Sequence, residues 1–312
     1  MWRYIIKRLL SGAVTVWFIA TATFFAMHFV PGDPLGNERA VSADIRRNLV
    51  AKYGLDQPLA KQYVLYLKNM ARGDFGISFT QQNRRVNDII REHFPVSALL
   101  GVIALIIATL GAILWGAVSA HYRERWPDSF IMVLVICGVS VPSFVIAALA
   151  QWLLLAINRH FGIALLPVAG WGSWQHVLLP AWVLGLGTMA YMTRLLRASL
   201  LEIAQSDYLR TARAKGLQPA RIFLRHQLRN ALLPVITVLG PAVATITTGG
   251  FVVELIFAIP GLGRYFVEAV QQLDYTVIMG TTVFYGAFLV LMVLIVDIAY
   301  GFADPRIRAG RS

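Results

Sequence analysis

The chain has 312 residues, of which 57% are hydrophobic and only 14% are charged, and this composition is more apolar than that of soluble globular proteins. Its net charge of +12 at pH 7 would suit a nucleic-acid-binding protein, but the basic residues lie in short segments between long apolar runs and do not form one basic face. The composition therefore excludes a soluble globular protein, argues against nucleic acid as a partner and indicates a chain embedded in a membrane.

The first apolar run, Leu9–Val30, follows three basic residues in the first eight positions, as in a signal peptide. Residues 20–22 even resemble a cleavage site. The apolar residues continue to Val30, however, so cleavage would leave half of a membrane segment. The pattern predicts an uncleaved first transmembrane helix within residues 1–30.

A polar interval at residues 31–93 follows and begins with a Pro-Gly-Asp-Pro motif that ends the helix. Pro58 begins a candidate amphipathic helix, whose apolar face contains Leu59, Tyr63, Tyr66, Leu67 and Met70. The interval is predicted to be a folded extracytoplasmic insertion. Packing over the helix ends is favoured over contact with a substrate, because nothing in the interval specifies a ligand.

Residues 94–301 are predicted to form a transmembrane domain of five further helices, and residues 302–312 a tail. Each apolar run is at or near the roughly 20 residues that span a bilayer, although the third of the five is short. Pro142 and Pro234 predict kinks in two of them. The runs are Val96–Ala120, Ser129–Asn158, Val177–Thr193, Ala231–Val253 and Tyr275–Val296.

The distribution of Lys and Arg predicts the orientation of the helices. With the N-terminus inside, sixteen basic residues lie in the short segments on the cytoplasmic side, and only Arg159 and Arg264 lie in the two short outer loops. Both termini and the loop at residues 194–229 are therefore predicted to be cytoplasmic. Asp297, near the end of the last helix, is predicted to pair with Arg306 or Arg308.

The loop at 194–229 contains two predicted short helices. Ser206 and Asp207 are good N-cap residues, and Gly216 predicts a left-handed helix end, so the first helix should cover residues 207–215. Pro219 would begin the second. Tyr208, Ala212 and Lys215 are predicted to lie on one side of the first helix.

Two parts of this loop, DYLRTARAKGL at 207–217 and HQLRNALLP at 226–234, resemble the cytoplasmic coupling loop of permease subunits in binding-protein-dependent ABC importers, in the dipeptide/oligopeptide branch. The wider superfamily has Glu-Ala-Ala, three residues and Gly. Arg210, Thr211, Ala212 and Gly216 occupy those places here, so the acidic residue is absent. The resemblance extends along the chain through PGDP at 31–34, GDFGIS at 73–78, IPGLGR at 259–264 and DPRIR at 304–308.

This resemblance implies a fold and a function. The fold would be all-α, with six transmembrane helices arranged as in type I ABC importer permeases and the insertion between helices 1 and 2. The chain would be a multi-pass subunit of the bacterial inner membrane that forms half of the pathway for dipeptides or oligopeptides. Partner subunits would hydrolyse ATP, so the chain itself is not expected to be an enzyme.

The resemblance also implies partners and a coupling site. The partners would be a homologous second permease, two ATPase subunits, an extracytoplasmic substrate-binding protein, the peptide and membrane lipid. No cofactor is expected on this chain, because ATP and Mg would bind to the ATPase subunits. The residues implied to contact an ATPase are Asp207, Tyr208, Arg210, Thr211, Ala212, Lys215 and Gly216.

Binding to anionic lipid is the competing interpretation of the basic loop. Lipid requires only charge, whereas a small residue at Ala212 and a helix end at Gly216 favour insertion into a protein groove. On the outer side, Glu254 and Arg264 flank a Pro-Gly-Leu-Gly sequence, which fits either a capped re-entrant turn or a gate or docking surface.

Other classes of membrane protein fit less well. The sequence contains no His-Glu-x-x-His, no Gly-x-Ser-x-Gly and no phosphate-binding loop, so no catalytic or metal-binding residues are predicted. An ion-coupled secondary transporter would show inverted repeats and charged midplanes, which are not evident. His28 is therefore interpreted as structural. Within the importer class, nickel, glutathione and antimicrobial peptides remain alternative substrates, and no substrate-contacting residue is identified.

Overall fold

The structure is a computed structural model of the chain and describes residues 2–30, 50, 54–81, 84–163 and 165–303. Within these ranges the chain is helical and contains no strand, only an isolated antiparallel bridge between Ile77 and Arg85. The all-α prediction is therefore confirmed. The motifs at 31–34 and 304–308, most of the predicted tail and the predicted pairing of Asp297 lie outside the described residues.

The helices are numbered here in chain order. They are α1 (Trp2–Phe29), α2 (Leu59–Ala71), α3 (Val86–His121), α4 (Trp126–Ser140), α5 (Ser143–Phe161), α6 (Trp174–Ile203), α7 (Asp207–Ala214), α8 (Pro219–Arg221), a π-helix (Ile222–Leu228), α9 (Arg229–Gly249), α10 (Phe251–Ile256), α11 (Leu262–Gln272) and α12 (Tyr275–Ala303).

Five of the described helices are long and apolar enough to cross a membrane, namely α1, α3, α5, α6 and α12. The predicted run Ala231–Val253 corresponds mainly to α9, a helix of 21 residues that ends at Gly249. The predicted run Val177–Thr193 was too short, because α6 has 30 residues and continues to Ile203. The extension includes Arg197, which forms an ion pair with Asp128. The helix thus continues past the end of the apolar run.

The two predicted proline kinks have different outcomes. Pro142 separates two helices, since α4 ends at Ser140 and α5 begins at Ser143, with an extended Val141 between them. Pro234 lies inside α9, which continues through it. Pro234 is the sixth residue of α9, which follows the π-helix directly, so the proline lies within a continuous helical segment and lacks the N–H of one intrahelical hydrogen bond.

The contacts divide the chain into two compact units, residues 1–97 with 259–298, and residues 98–258 with 299–312. In the first unit, α2 packs on the end of α1. Phe24 contacts the rings of both Tyr63 and Tyr66, and the hydroxyls of Thr21 and Tyr63 are 2.8 Å apart. His28 contacts the carbonyl of Phe24 and, through Nε2 at 3.3 Å, the side chain of Gln62, which supports a structural role for His28.

Two motifs of the first unit are held by side chains from other parts of the chain. Asp274, immediately before α12, accepts hydrogen bonds from residues 78–80, which begin at the end of the GDFGIS motif. The IPGLGR motif contacts α3, because Nδ1 of His93 lies 2.9 Å from the Pro260 carbonyl oxygen and the Leu262 N–H donates to the Ser97 hydroxyl. These contacts show a structured turn at 259–264.

The core of the second unit lies between α6 and the helices α3 and α9. Gly185 of α6 approaches the backbone of α3 so closely that an added Cβ would be 2.6 Å from the Ala104 carbonyl oxygen. The fully buried residues Met192, Leu196 and Leu200 continue this packing towards the end of α6. The last turns of α6, which lead into the loop at 194–229, are therefore firmly packed.

Candidate coupling site

The predicted first helix of the coupling loop, residues 194–229, is α7. It begins at Asp207, after Ser206 in an extended conformation, as the N-cap prediction required. The Ser206 hydroxyl does not cap α7, however, because it donates to the Ile203 carbonyl 2.7 Å away. Ser206 thus stabilises the end of α6, and the backbone carbonyl of Ser206 accepts the first hydrogen bonds of α7.

The end of α7 confirms the prediction for Gly216, which has φ of +72° in the left-handed region. The Leu217 N–H donates to the Ala212 carbonyl at 3.3 Å, and the Gly216 N–H donates to the Arg213 carbonyl at 2.9 Å. This pair of bonds is the Schellman motif. The helix ends at Ala214, with Lys215 as the C-cap, so the predicted end at 215 differs by one residue.

One side of α7 is packed against its own chain. Leu209 is fully buried and Ala212 is only 7% exposed, and both contact Ile222 of the π-helix. Ile203 and Leu217 complete this cluster. In this structure Ala212 is held against the π-helix of its own chain. That Ala212 is small in order to enter a groove on another protein stays a prediction.

The opposite side of α7 is exposed and polar. Asp207, Arg210, Thr211 and Lys215 all face outwards, and Arg210 makes only a 3.5 Å contact with the Asp207 carboxylate. The Thr211 hydroxyl donates to the Asp207 carbonyl. Four of the predicted coupling residues thus form one accessible surface, while Ala212 belongs to the interior.

Tyr208 lies at the edge of this surface, 43% exposed. Its hydroxyl donates to the His226 carbonyl at 3.4 Å and accepts from the Asn230 amide at 3.0 Å. Tyr208 and Lys215 are exposed and Ala212 is buried, so the side predicted for these three residues lies at the boundary between the buried and the exposed parts of α7. Tyr208 connects α7 with the start of α9.

The π-helix Ile222–Leu228 adds further contacts between the two ends of the coupling loop. The Gln227 amide donates to the Leu200 carbonyl of α6 at 2.9 Å. π-Helices are rare and often occur at functional sites. The sequence analysis did not find this element, and no residue pattern in the segment distinguishes it from an α-helix.

An ion pair with a buried carboxylate lies near the end of α6. Arg197 donates to both carboxylate oxygens of Asp128 on α4, at 2.8 and 2.6 Å, and Asp128 is 4% exposed. The hydrogen bonds from Arg197 hold the pKa of Asp128 well below its usual range, against the effect of burial. The sequence analysis did not identify this pair, because its members are 69 residues apart.

No group of three or more His, Cys, Asp or Glu side chains that could hold a metal ion occurs in the part of the chain that the structure describes. The coupling loop connects the long helices α6 and α9, and α7 within it is buried on one side and exposed and polar on the other.

Comparisons with known proteins agree with this geometry. The family model of the binding-protein-dependent transport system inner membrane component matches residues 112–309, and the model of the N-terminal part of such components matches residues 1–101. The dipeptide transport system permease protein DppB of Bacillus subtilis is 47% identical over 99% of this chain and 98% of that protein.

The oligopeptide transport system permease protein OppB is also similar over its full length. The OppB of Haemophilus influenzae is 41% identical, and that of Escherichia coli is 39% identical, each over 99% of this chain and 100% of the relative. The chain therefore belongs to the family of inner membrane components of binding-protein-dependent transport systems. Within it, the chain groups with the permeases of the dipeptide/oligopeptide branch, so it is a multi-pass transport subunit and not an enzyme.

The fold is similar to that of a solved transporter. An inward-facing structure of the MetNI methionine ABC transporter matches with a TM-score of 0.52, over 71% of this chain and 95% of that chain. At 17% identity this similarity concerns the fold alone. It confirms the predicted type I ABC importer permease fold.

Proposed function

We propose that this permease forms half of a pathway through which dipeptides or short oligopeptides enter a bacterial cell. The observation that carries the proposal is full-length similarity to permeases named for dipeptide and oligopeptide transport, at 47% and 41% identity. Nickel, glutathione and antimicrobial peptides are the alternative cargoes within the importer class.

The second part of the proposal is that α7 transmits the movement of an ATPase subunit to this chain. Asp207, Arg210, Thr211 and Lys215 would contact the ATPase, with Tyr208 at the edge of the contact. The buried side of α7 supports this role, because Leu209 and Ala212 pack against Ile203 at the end of α6 and Ile222 of the π-helix, which leads into α9. A force applied to the exposed side would then move both long helices.

The remaining partners follow from the same proposal. Two ATPase subunits would bind ATP and Mg, and this chain would carry no cofactor. A homologous second permease would complete the pathway, and an extracytoplasmic binding protein would deliver the peptide. The basic residues of the coupling loop would contact the ATPase more than anionic lipid, because α7 presents an ordered surface of both charges.

Gly216 offers a direct test of the rigid connection. An added Cβ would meet nothing within 4 Å, so only the left-handed backbone opposes a larger residue, at a cost of about 1–2 kcal/mol for a β-branched side chain. We expect Gly216→Val to reduce uptake strongly and Gly216→Asn to retain it, since Asn tolerates this conformation. Uptake and ATPase co-purification at matched expression measure the effect. Equal uptake by both variants would contradict the role of the left-handed helix end.

The proposed orientation places both termini and residues 194–229 in the cytoplasm, supported by the distribution of basic residues. We expect Lys215→Cys, in a Cys137→Ser background, to resist an impermeant thiol reagent in intact cells and to react in inverted vesicles. Arg159→Cys, also exposed, is the matched control and should react in intact cells. The reverse pattern of labelling would overturn the proposed orientation.

Reconstitution tests the proposed cargo. The purified complex with its ATPase subunits, second permease and binding protein should hydrolyse ATP faster when the binding protein carries a dipeptide or short peptide. Nickel and glutathione should give no stimulation under the same conditions. Stimulation by nickel or glutathione alone would replace the peptide assignment with that of another importer of the same family.

A further inference from the structure

The Asp128–Arg197 pair is part of a set of hydrogen bonds that the coupling function of α7 alone does not explain. The Asp128 carboxylate accepts four hydrogen bonds, two from Arg197, one from the Ser119 hydroxyl and one from the Glu124 N–H. These donors come from the end of α3, the turn before α4 and the last part of α6. One buried carboxylate thus joins three segments of the second unit.

The turn between α3 and α4 is shaped to make this contact. Glu124 is not a glycine, yet it has φ of +61°, a conformation that is uncommon for such a residue. Its N–H donates to Asp128 at 3.0 Å in this conformation. The turn at residues 122–125 therefore depends on the same carboxylate as Arg197.

From Arg197 the connection continues into the coupling loop. Leu200, three residues further along α6, accepts the hydrogen bond from Gln227 of the π-helix. Ile203 then packs against the cluster formed by Leu209 and Ala212 of α7. Every step between Asp128 and α7 is thus a helical segment or a contact that is at least partly buried.

We propose that Arg197 is a positioning residue, and that its pairing with Asp128 makes the turn at 122–125 and α7 move as one rigid unit. The proposal rests on the proposed coupling function of α7. Movement of α7 by the ATPase would then reach α3 and α4 as well as α6 and α9. The pair would serve transmission of movement and not the binding of a ligand.

The choice of an ion pair supports a positional role. Replacing a buried ion pair by apolar residues of similar volume is often neutral or stabilising, so stability alone does not require one here. A guanidinium that donates two parallel bonds fixes direction as well as distance. Lysine has the same charge but cannot donate two parallel hydrogen bonds. Arg197→Lys therefore keeps the positive charge and removes the fixed geometry of the pair.

The first experiment compares Arg197→Lys with Arg194→Lys in the reconstituted complex. Arg194 is an exposed residue of the same helix, one turn earlier. We expect both variants to assemble and to keep basal ATP hydrolysis, while in Arg197→Lys the stimulation by loaded binding protein falls about tenfold. Asp128→Asn should lower stimulation in the same way. Wild-type stimulation in Arg197→Lys, or failure of that variant to assemble, would overturn the positional role.

The second experiment follows movement directly and does not depend on the cargo. Spin labels at Tyr122→Cys and Lys215→Cys, in a Cys137→Ser background, report the distance between the turn and α7. We expect this distance to stay the same with and without ATP in the wild-type complex, and to change by about 2 Å or more in Arg197→Lys.

The outcomes distinguish this inference from the proposed function. A distance that changes with ATP in the wild type, or stays constant in Arg197→Lys, would show that the pair does not join the two segments. A complex that no peptide stimulates, but in which the two distances behave as expected, would contradict the peptide assignment and support the inference.

Discussion

Replacing Ala212 by Asp is expected to abolish transport, whereas the same replacement at Ala214, two residues along α7, is expected to leave transport largely intact. Ala212 lies in the cluster between α7 and the π-helix, and Ala214 is exposed. The two variants have the same charge, size and helix propensity. Any difference between them therefore reports the burial of position 212.

The expected difference in free energy is large. An unpaired carboxylate at position 212 would lie against Leu209 and Ile222, at a cost of about 3–5 kcal/mol to the folded coupling loop. At position 214 the carboxylate would face solvent near the negative end of the helix, at a cost of about 0.3–1 kcal/mol. The first cost is enough to separate α7 from the π-helix, and the second is not.

Three measurements check this prediction at matched expression. Ala212→Asp should remain in the membrane, lose the co-purifying ATPase and become more rapidly cleaved by trypsin at the basic residues of α7. Ala214→Asp should resemble the wild type in all three respects. Loss of ATPase binding in both variants would instead show that position 214 is itself in the contact, and wild-type behaviour of Ala212→Asp would contradict the buried cluster.

Local features of the coupling loop were predictable from the sequence. A left-handed end at Gly216 and a helix start near Asp207 depend only on residues within a few positions, and both are present. The burial of Leu209 could also have been predicted, since Leu209 and Ala212 are apolar residues three apart in an otherwise polar helix. The apolar runs likewise indicated the approximate positions of the long helices, although Ser129–Asn158, predicted as one transmembrane helix, comprises the two helices α4 and α5.

Features that depend on distant contacts were not predictable in this way. The burial of Ala212 requires Ile222, which lies beyond the glycine turn, and the role of Arg197 requires Asp128, 69 residues earlier. Asp274 is a still more distant case, because its partner Ser78 lies 196 residues before it. In a single sequence nothing distinguishes these buried carboxylates from exposed ones, since their energetics are set by partners that the fold supplies.

Asp274 is expected to be the carboxylate whose removal destabilises the first unit most. It is 1% exposed and precedes α12, where its Oδ1 accepts from the Val277 N–H in the position of an N-cap. The same oxygen accepts from the Phe79 N–H and the Thr276 hydroxyl. Oδ2 accepts from the Ser78 hydroxyl and from both the N–H and the hydroxyl of Thr80.

Two replacements at this position should differ in a defined way. Asp274→Ala leaves all of these donors without the carboxylate, at an expected cost of about 3–5 kcal/mol. In Asp274→Asn the amide oxygen can keep the three donors of Oδ1, and the hydroxyls of Ser78 and Thr80 can rotate to accept from the amide NH2. Only the Thr80 N–H then faces a donor, so the expected cost is about 1–3 kcal/mol.

Thermal stability of the purified permease in detergent, followed by the loss of the monodisperse species on heating, ranks these variants. Asp88→Ala is the matched control, because Asp88 is an exposed carboxylate in the first turn of α3 and its loss should cost about 0.3–1 kcal/mol. The expected order of stability is wild type, Asp88→Ala, Asp274→Asn and then Asp274→Ala. If Asp274→Asn were as unstable as Asp274→Ala, the negative charge and not the arrangement of donors would be the feature that holds residues 78–80 against the start of α12.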